Sequence, residues 1–266
     1  MLHNTGQSLV HYDLIGDPDA PVICMTHSLT SDHGMWAEQV PVLLAAGFQV
    51  LRVDMRGHGG STPTKGDYSM EELAADVVSV LDALGFTSGV HLIGLSMGGM
   101  IGQVIAADYP GRLASLMAVC TSARWDGDTP LMQSRLDTVR ASGTLESIVD
   151  ANMERRYGPG YRARRPVRWE ALRQTFLGTS LDGYFGCMHA AMTHDVTGRL
   201  SRVTAPTLVV AGSADLATPP SDNKLIASLI PGARYIEIPD GYHFPNVEYD
   251  ELFNGIMLDW MKEVRG

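Results

Sequence analysis

Cysteine is scarce in this chain: Cys24, Cys120 and Cys187 are its only thiols in 266 residues. An odd set, widely spaced and partly inside apolar runs, makes no disulfide frame and predicts buried free thiols. No C-x-x-C and no H-x-x-x-H occurs, so no zinc-ligand spacing is present and no metal is expected. Also missing are a G-x-x-x-x-G-K-[ST] phosphate loop and a strand-borne G-x-G-x-x-G, which removes nucleotide chemistry and leaves no cofactor expected. Basic residues are in the minority: 20 Lys and Arg against 30 Asp and Glu give a formal net charge of -10. That charge argues against a nucleic-acid partner, whose phosphates need a basic face, and its plainer reading is ordinary solubility. No apolar run approaches the roughly 20 residues of a membrane helix, and residues 1–7 lack the basic-then-apolar pattern of a secretory signal. The expectation is a cytoplasmic protein with a small-molecule partner and no membrane partner, monomeric or homodimeric. No Pro-rich, Gly/Ser-rich or charged linker, repeat or low-complexity segment divides the chain, and 45% hydrophobic content suffices for one large α/β core.

What is present is organised around Val90-His91-Leu92-Ile93-Gly94-Leu95-Ser96-Met97-Gly98-Gly99-Met100. A short apolar run reads as a buried strand. It breaks at a G-x-S-x-G pentapeptide, after which Met100, Ile101, Val104 and Ile105 recur at helical spacing. Strand, tight turn and helix with serine at the tip is a nucleophile elbow. The turn strains Ser96, and a side chain at 94 or 98 would collide with the opposite limb. Read without that context, the motif is only a glycine-rich turn.

Along the chain, strands are expected at 8–15 (an antiparallel edge), 21–25, 48–53, the elbow strand, 113–120, 206–211 and 235–238. Helices are expected at 36–46, 70–84, after the elbow and at 249–264. Alternating strands and helices imply a mostly parallel sheet with helices on both faces, whose chemistry gathers at the carboxyl ends of the strands. From about 124 to 204 no strand pattern occurs. That interval is too long for a plain connection, so it reads as a helical cap over Ser96 inserted in a core made of 1–123 and 205–266.

A serine needs a base, and the base an orienting acid. Asp215, just past the 206–211 strand, is the candidate acid; a turn-capping role is its plainer reading. His243, in Pro239-Asp240-Gly241-Tyr242-His243-Phe244-Pro245, is the candidate base. The order Ser, Asp, His is that of the strand–elbow–helix architecture. The N–H of Met97 and that of Leu29 are the candidate oxyanion donors, with Ser28 next. His27 is expected to brace that loop, and Asp54 and Arg56 to pair with each other. His3, His11, His33 and His91 read as structural or surface residues. Ser28, Arg124, Trp125, His189 and Met192 are the candidate substrate contacts. Arg155, Arg156, Arg162, Arg164, Arg165 and Arg168 could form a roof for an anionic substrate, but a solvated helix face is the preferred reading.

His27-Ser28-Leu29, Asp54-Met55-Arg56-Gly57-His58-Gly59, Gly94 to Gly99, Gly212 to Asp215 and Gly241 to His243 together resemble the α/β-hydrolase superfamily over nearly the whole chain. A narrower likeness is carried by Ser28 to Asp32 with Met35-Trp36, by Asp182 to Asp195 and by Ala211 to Pro220, which look like 3-oxoadipate enol-lactone hydrolases. Thr30 stands where that family's loop carries glycine, and 154–169 is unusually rich in arginine. The resemblance implies a cofactor-free serine hydrolase of a small carboxylic ester or lactone, 3-oxoadipate enol-lactone or a relative, in aromatic-acid breakdown, with the triad on Ser96, Asp215 and His243. A C–C bond hydrolase of ring-cleavage products and a cofactor-free haloperoxidase or acyltransferase would share the triad. A haloalkane dehalogenase needs a carboxylate where Ser96 stands. A binding protein without turnover is the alternative from another class.

Overall fold

Short apolar runs closed by Gly, Pro or Asp become the strands, and amphipathic segments between them become the helices. The computed structural model describes residues 1–265. In chain order the elements are β1 (Leu2–Asn4), β2 (Leu9–Ile15), β3 (Val22–Thr26), α1 (Val40–Ala45), β4 (Gln49–Val53), α2 (Met70–Ala83), β5 (Val90–Leu95), α3 (Met97–Asp108) and β6 (Leu113–Val119). There follow α4 (Thr129–Ser142), α5 (Val149–Arg156), α6 (Tyr161–Arg164), α7 (Pro166–Leu177) and α8 (Leu181–Met192). The chain closes with β7 (Thr207–Gly212), α9 (Pro220–Leu229), β8 (Arg234–Ile238), α10 (Pro245–Glu248) and α11 (Asp250–Val264). The eight strands form one sheet in the order β1-β2-β4-β3-β5-β6-β7-β8. β1–β2 and β2–β4 are antiparallel and every other pair is parallel.

β3, β5 and β7 are buried along their whole length, because both faces are covered. Cys24, Leu92 and Val209 pack with α2, α3 and α9 on one face. Their strand neighbours Met25, Ile93 and Val210 pack with α1 and α11 on the other. Alternate residues of a strand face opposite sides, so each apolar run feeds two cores. α2 begins where Ser69 and Glu72 exchange hydrogen bonds as a capping box.

Two expectations need correcting. The strand at 8–15 is not the edge: the short exposed β1 pairs outside it. The helix expected at 36–46 starts later: Trp36 ends a 3-10 turn at His33–Trp36 begun by the Asp32 side chain, and α1 opens only at Val40 with proline in its first turn.

Between β6 and β7 lie α4 to α8. The ends of this stretch are tied together by an isolated bridge between Arg124 and Asp195, with Trp125 N donating to His194 O (2.9 Å) and Val196 N to Ala123 O (2.8 Å). Its apolar residues, among them Leu136, Val149, Trp169 and Phe176, join the core that includes Met25 and Val210. Among the described residues no helix is long and apolar enough to cross a membrane.

Buried histidines set an acid limit on this fold. Burial pushes His58 down to about 3 and His194 down to about 4. The unfolded chain takes up those protons near pH 6.5. Both groups therefore contribute stability above about pH 6.5 that is lost as pH falls toward their folded values. His33, raised chiefly by its hydrogen bond to Asp54, works in the opposite direction. The expected result is a melting temperature that drops by several degrees between pH 7 and 5, with a shallower drop in His194→Leu. An unchanged melting temperature over that interval would contradict it.

Candidate active site

The end of β5 and the start of α3 meet at Ser96, whose φ of 56° and ψ of -116° lie where an L-residue is strained. The strain is held by main-chain bonds: Ser96 N donates to Val119 O (2.9 Å) and Thr121 Oγ1 to Ser96 O (2.7 Å). Glycines let the turn close. A Cβ on Gly94 would lie 2.2 Å from Gly98 O, and one on Gly98 would lie 2.2 Å from Thr26 O of the neighbouring strand. The collision at 94 is therefore with the opposite limb, and that at 98 with β3.

Asp215 follows β7 and His243 follows β8, and both are buried. His243 Nδ1 lies 2.8 Å from Asp215 Oδ2. The other donors to this carboxylate are Ala217 N (2.7 Å), Thr218 N (3.2 Å) and Thr218 Oγ1 (2.8 Å). Burial alone would raise the Asp215 carboxyl. The charge and hydrogen bond of His243, with the Ala217 and Thr218 donors, outweigh it and hold the carboxyl below its ordinary range. An ionised Asp215 fixes a proton on Nδ1 and leaves Nε2 to accept one. Thr218 reaches Asp215 only because the loop after β7 curves back on itself, which no local sequence pattern announces.

Met97 opens α3, so its N–H has no acceptor within the helix. Leu29 lies in a four-residue turn closed by Ser31 N donating to Ser28 O (3.1 Å). His27 braces this loop: Nδ1 reaches Ser28 O (2.8 Å), and Nε2 accepts from Met55 N (2.9 Å). Its pKa is lowered chiefly by burial, which keeps the ring neutral for that pair of bonds.

A cavity of about 410 Å³ joins these pieces: Leu29, Ser96, Met97 and His243 all line it. Ser28, Arg124 and Trp125 of the expected substrate contacts line it too. His189 and Met192 do not, which corrects their assignment. α8 turns Tyr184, Met188 and Ala191 toward the cavity. One residue past Met188 the helix has rotated by about 100°, so His189 is exposed, with Nδ1 3.1 Å from Tyr68 O. Met192 packs half-buried against the core.

The expected Asp54–Arg56 pair does not form. The chain turns after β4, so the two side chains leave on different sides. Arg56 pairs with Asp76 of α2. Asp54 is taken by His11 Nδ1 (2.8 Å) and His33 Nδ1 (3.0 Å), with Gly60 N (3.0 Å) and His33 N (2.7 Å) as further donors. His11, His33 and Asp54 are spaced as a metal could use them, but these hydrogen bonds already engage all three. Sequence separation hid this trio.

The arginine-rich stretch splits. Arg162, Arg164 and Arg165 are exposed, as a solvated face requires. Arg168 bonds to Glu38 (2.8 Å). Arg156 is buried, and Arg155 lines the cavity with Arg135 of α4. Neither Arg135 nor Arg155 has an ion-pair partner among the described residues, and the buried Nε of Arg155 has no hydrogen-bond partner. Burial, then the neighbouring Arg135 charge, lowers the pKa of Arg155.

A family model described as alpha/beta hydrolase fold matches residues 21–182. The chain is 31% identical over 253 residues to 3-oxoadipate enol-lactonase 2 of Acinetobacter baylyi, covering 95% of this chain and 93% of that one. It is 30% identical over 270 residues to the putative carbamate hydrolase RutD of Pantoea ananatis, covering 95% and 93%. The solved enol-lactonase of Burkholderia xenovorans LB400 superposes with a TM-score of 0.93 at 32% identity, covering 98% of this chain and 100% of that one.

Proposed function

The chain belongs to the alpha/beta hydrolase fold family, and on that footing we propose that it is a Ser-His-Asp hydrolase of small carboxylic esters or lactones. One observation carries the reading. A serine in a strained elbow opens on the same cavity as an imidazole whose far nitrogen is held by a buried carboxylate. Ser96 Oγ attacks the carbonyl carbon as His243 Nε2 takes its proton. The N–H groups of Met97 and Leu29 hold the oxyanion. The leaving oxygen takes the proton back from His243, and water, with the same base, then frees the acid from Ser96. Residues 124–204 act as the cap, since α4, α5, α7 and α8 all contribute to the cavity wall.

Within that class, the substrate is an anionic lactone such as 3-oxoadipate enol-lactone. One relative is named a 3-oxoadipate enol-lactonase and a solved neighbour an enol-lactonase, and Arg135 and Arg155 line the cavity with no carboxylate partner among the described residues. A carboxylate is the group that a guanidinium binds through paired hydrogen bonds. If the product is an enol, its conversion to a ketone makes ring opening irreversible.

The test is a panel of simple esters, neutral lactones and a carboxylate-bearing enol lactone, each read against Ser96→Ala. Turnover is expected to depend on Ser96 throughout and to be fastest on the enol lactone. Arg155→Met is expected to raise KM for the anionic lactone by about 10- to 100-fold, the worth of a charged hydrogen bond, with a far smaller change for a neutral ester. Equal losses on both substrates would overturn the carboxylate reading and leave the hydrolase.

A further inference from the structure

The turn that carries the Leu29 donor has the wrong residue at its tightest point. Ser31 N donates to Ser28 O, so Leu29 and Thr30 are the central pair, and Thr30 has a φ of 56°. A positive φ at the second central position is the province of glycine or asparagine. A β-branched residue is strained there. Thr30 is buried, and its Oγ1 is spent on Leu29 O (2.6 Å).

What holds it comes from the cap. Arg156, the last residue of α5, donates from one terminal nitrogen to Leu29 O (2.8 Å) and to Thr30 Oγ1 (2.8 Å). Its guanidinium lies over the rings of Phe176 (5.1 Å) and Phe244 (5.2 Å). Its own carbonyl accepts from Phe244 N (3.3 Å), and the Phe244 ring stands edge-on to His243 at 5.3 Å. One cap residue thus grips the turn before the elbow and the loop after the base. It does so with no acid beside it among the described residues, a costly way to bury a guanidinium.

We infer that Arg156 is a positioning residue: it locks the Ser28–Ser31 turn in its strained form, so that the cap completes the oxyanion site by fixing where the Leu29 N–H points. The inference rests on the hydrolase reading above. Without the Arg156 bonds, Leu29 and Thr30 relax toward ordinary backbone angles and the donor moves. A displacement of about 1 Å at such a site can cost on the order of 10²-fold in rate.

The test is a four-way comparison on p-nitrophenyl acetate: the unmodified chain, Arg156→Gln, Thr30→Gly, and both together. Arg156→Gln is expected to lower kcat about 10²-fold and to leave KM nearly unchanged. In the Thr30→Gly background, where the turn needs no lock, the same substitution is expected to cost less than about threefold, because glycine adopts this turn unaided. Hydrogen exchange in the peptide containing residues 28–31 is expected to quicken in Arg156→Gln and to slow again in the double variant. If Arg156→Gln does not fold, Arg156→Lys runs the same comparison. A kcat that Arg156→Gln leaves within about threefold, or a loss of the same size in both backgrounds, overturns the positioning role. Turnover that survives Ser96→Ala overturns the hydrolase reading instead, so the two failures are told apart.

Discussion

Ser96→Ala loses ester turnover by about 10⁶-fold in kcat, the scale seen when a triad nucleophile is removed, while the melting temperature stays within a degree or two. The two halves of that expectation have separate causes. The proposed chemistry uses the hydroxyl, and nothing else on the elbow can form the acyl bond. The fold uses only the main chain of residue 96, through Val119 O and Thr121 Oγ1. Alanine keeps both bonds and adopts the same backbone with similar strain. Kinetics and thermal unfolding of the purified variant check both halves. Retained turnover would mean that another group carries the reaction, and a collapsed melting temperature would mean that the serine side chain is structural.

Asp215→Asn lowers kcat by about 10⁴-fold, with the fold preserved. The asparagine side chain fits the same nest of Ala217 N, Thr218 N and Thr218 Oγ1. Its amide can then meet His243 as a donor and hold the ring in the tautomer whose Nε2 already bears a proton. That ring cannot take the proton of Ser96, and it loses the negative charge that stabilises the imidazolium. The measurement is kcat across pH 6 to 9 for both proteins. A near-native rate would assign the orienting role to another carboxylate and reduce Asp215 to a turn cap.

The parts of the molecule written in consecutive residues were legible. The elbow announces itself because strand, glycine-flanked serine and helix are contiguous, and Asp215 and His243 because each follows an apolar run. The edge β1 was not legible: three residues, mostly exposed, leave no apolar pattern. Pairings between loops are not legible where a turn decides direction. Asp54 and Arg56 are two residues apart, yet they face His11 and His33 on one side and Asp76 on the other. Helical phase alone separates His189 from the cavity that Met188 lines. The arginine-rich stretch shows the limit most plainly. Arg155, Arg156 and Arg165 look alike in sequence, but one faces the cavity, one is buried against Thr30, and one is exposed. Composition cannot sort them, because the sorting depends on how α5 to α7 pack against the rest of the chain.

Activation of Ser96 by His243 is the step on which the proposed hydrolysis depends. Treating the protein with a fluorophosphonate and mapping the adduct by peptide mass tests this directly. A single adduct on Ser96, formed far more slowly in His243→Ala, is the predicted result. An unlabelled Ser96 in a preparation that still hydrolyses esters, or an adduct on any other residue that abolishes turnover, would contradict it.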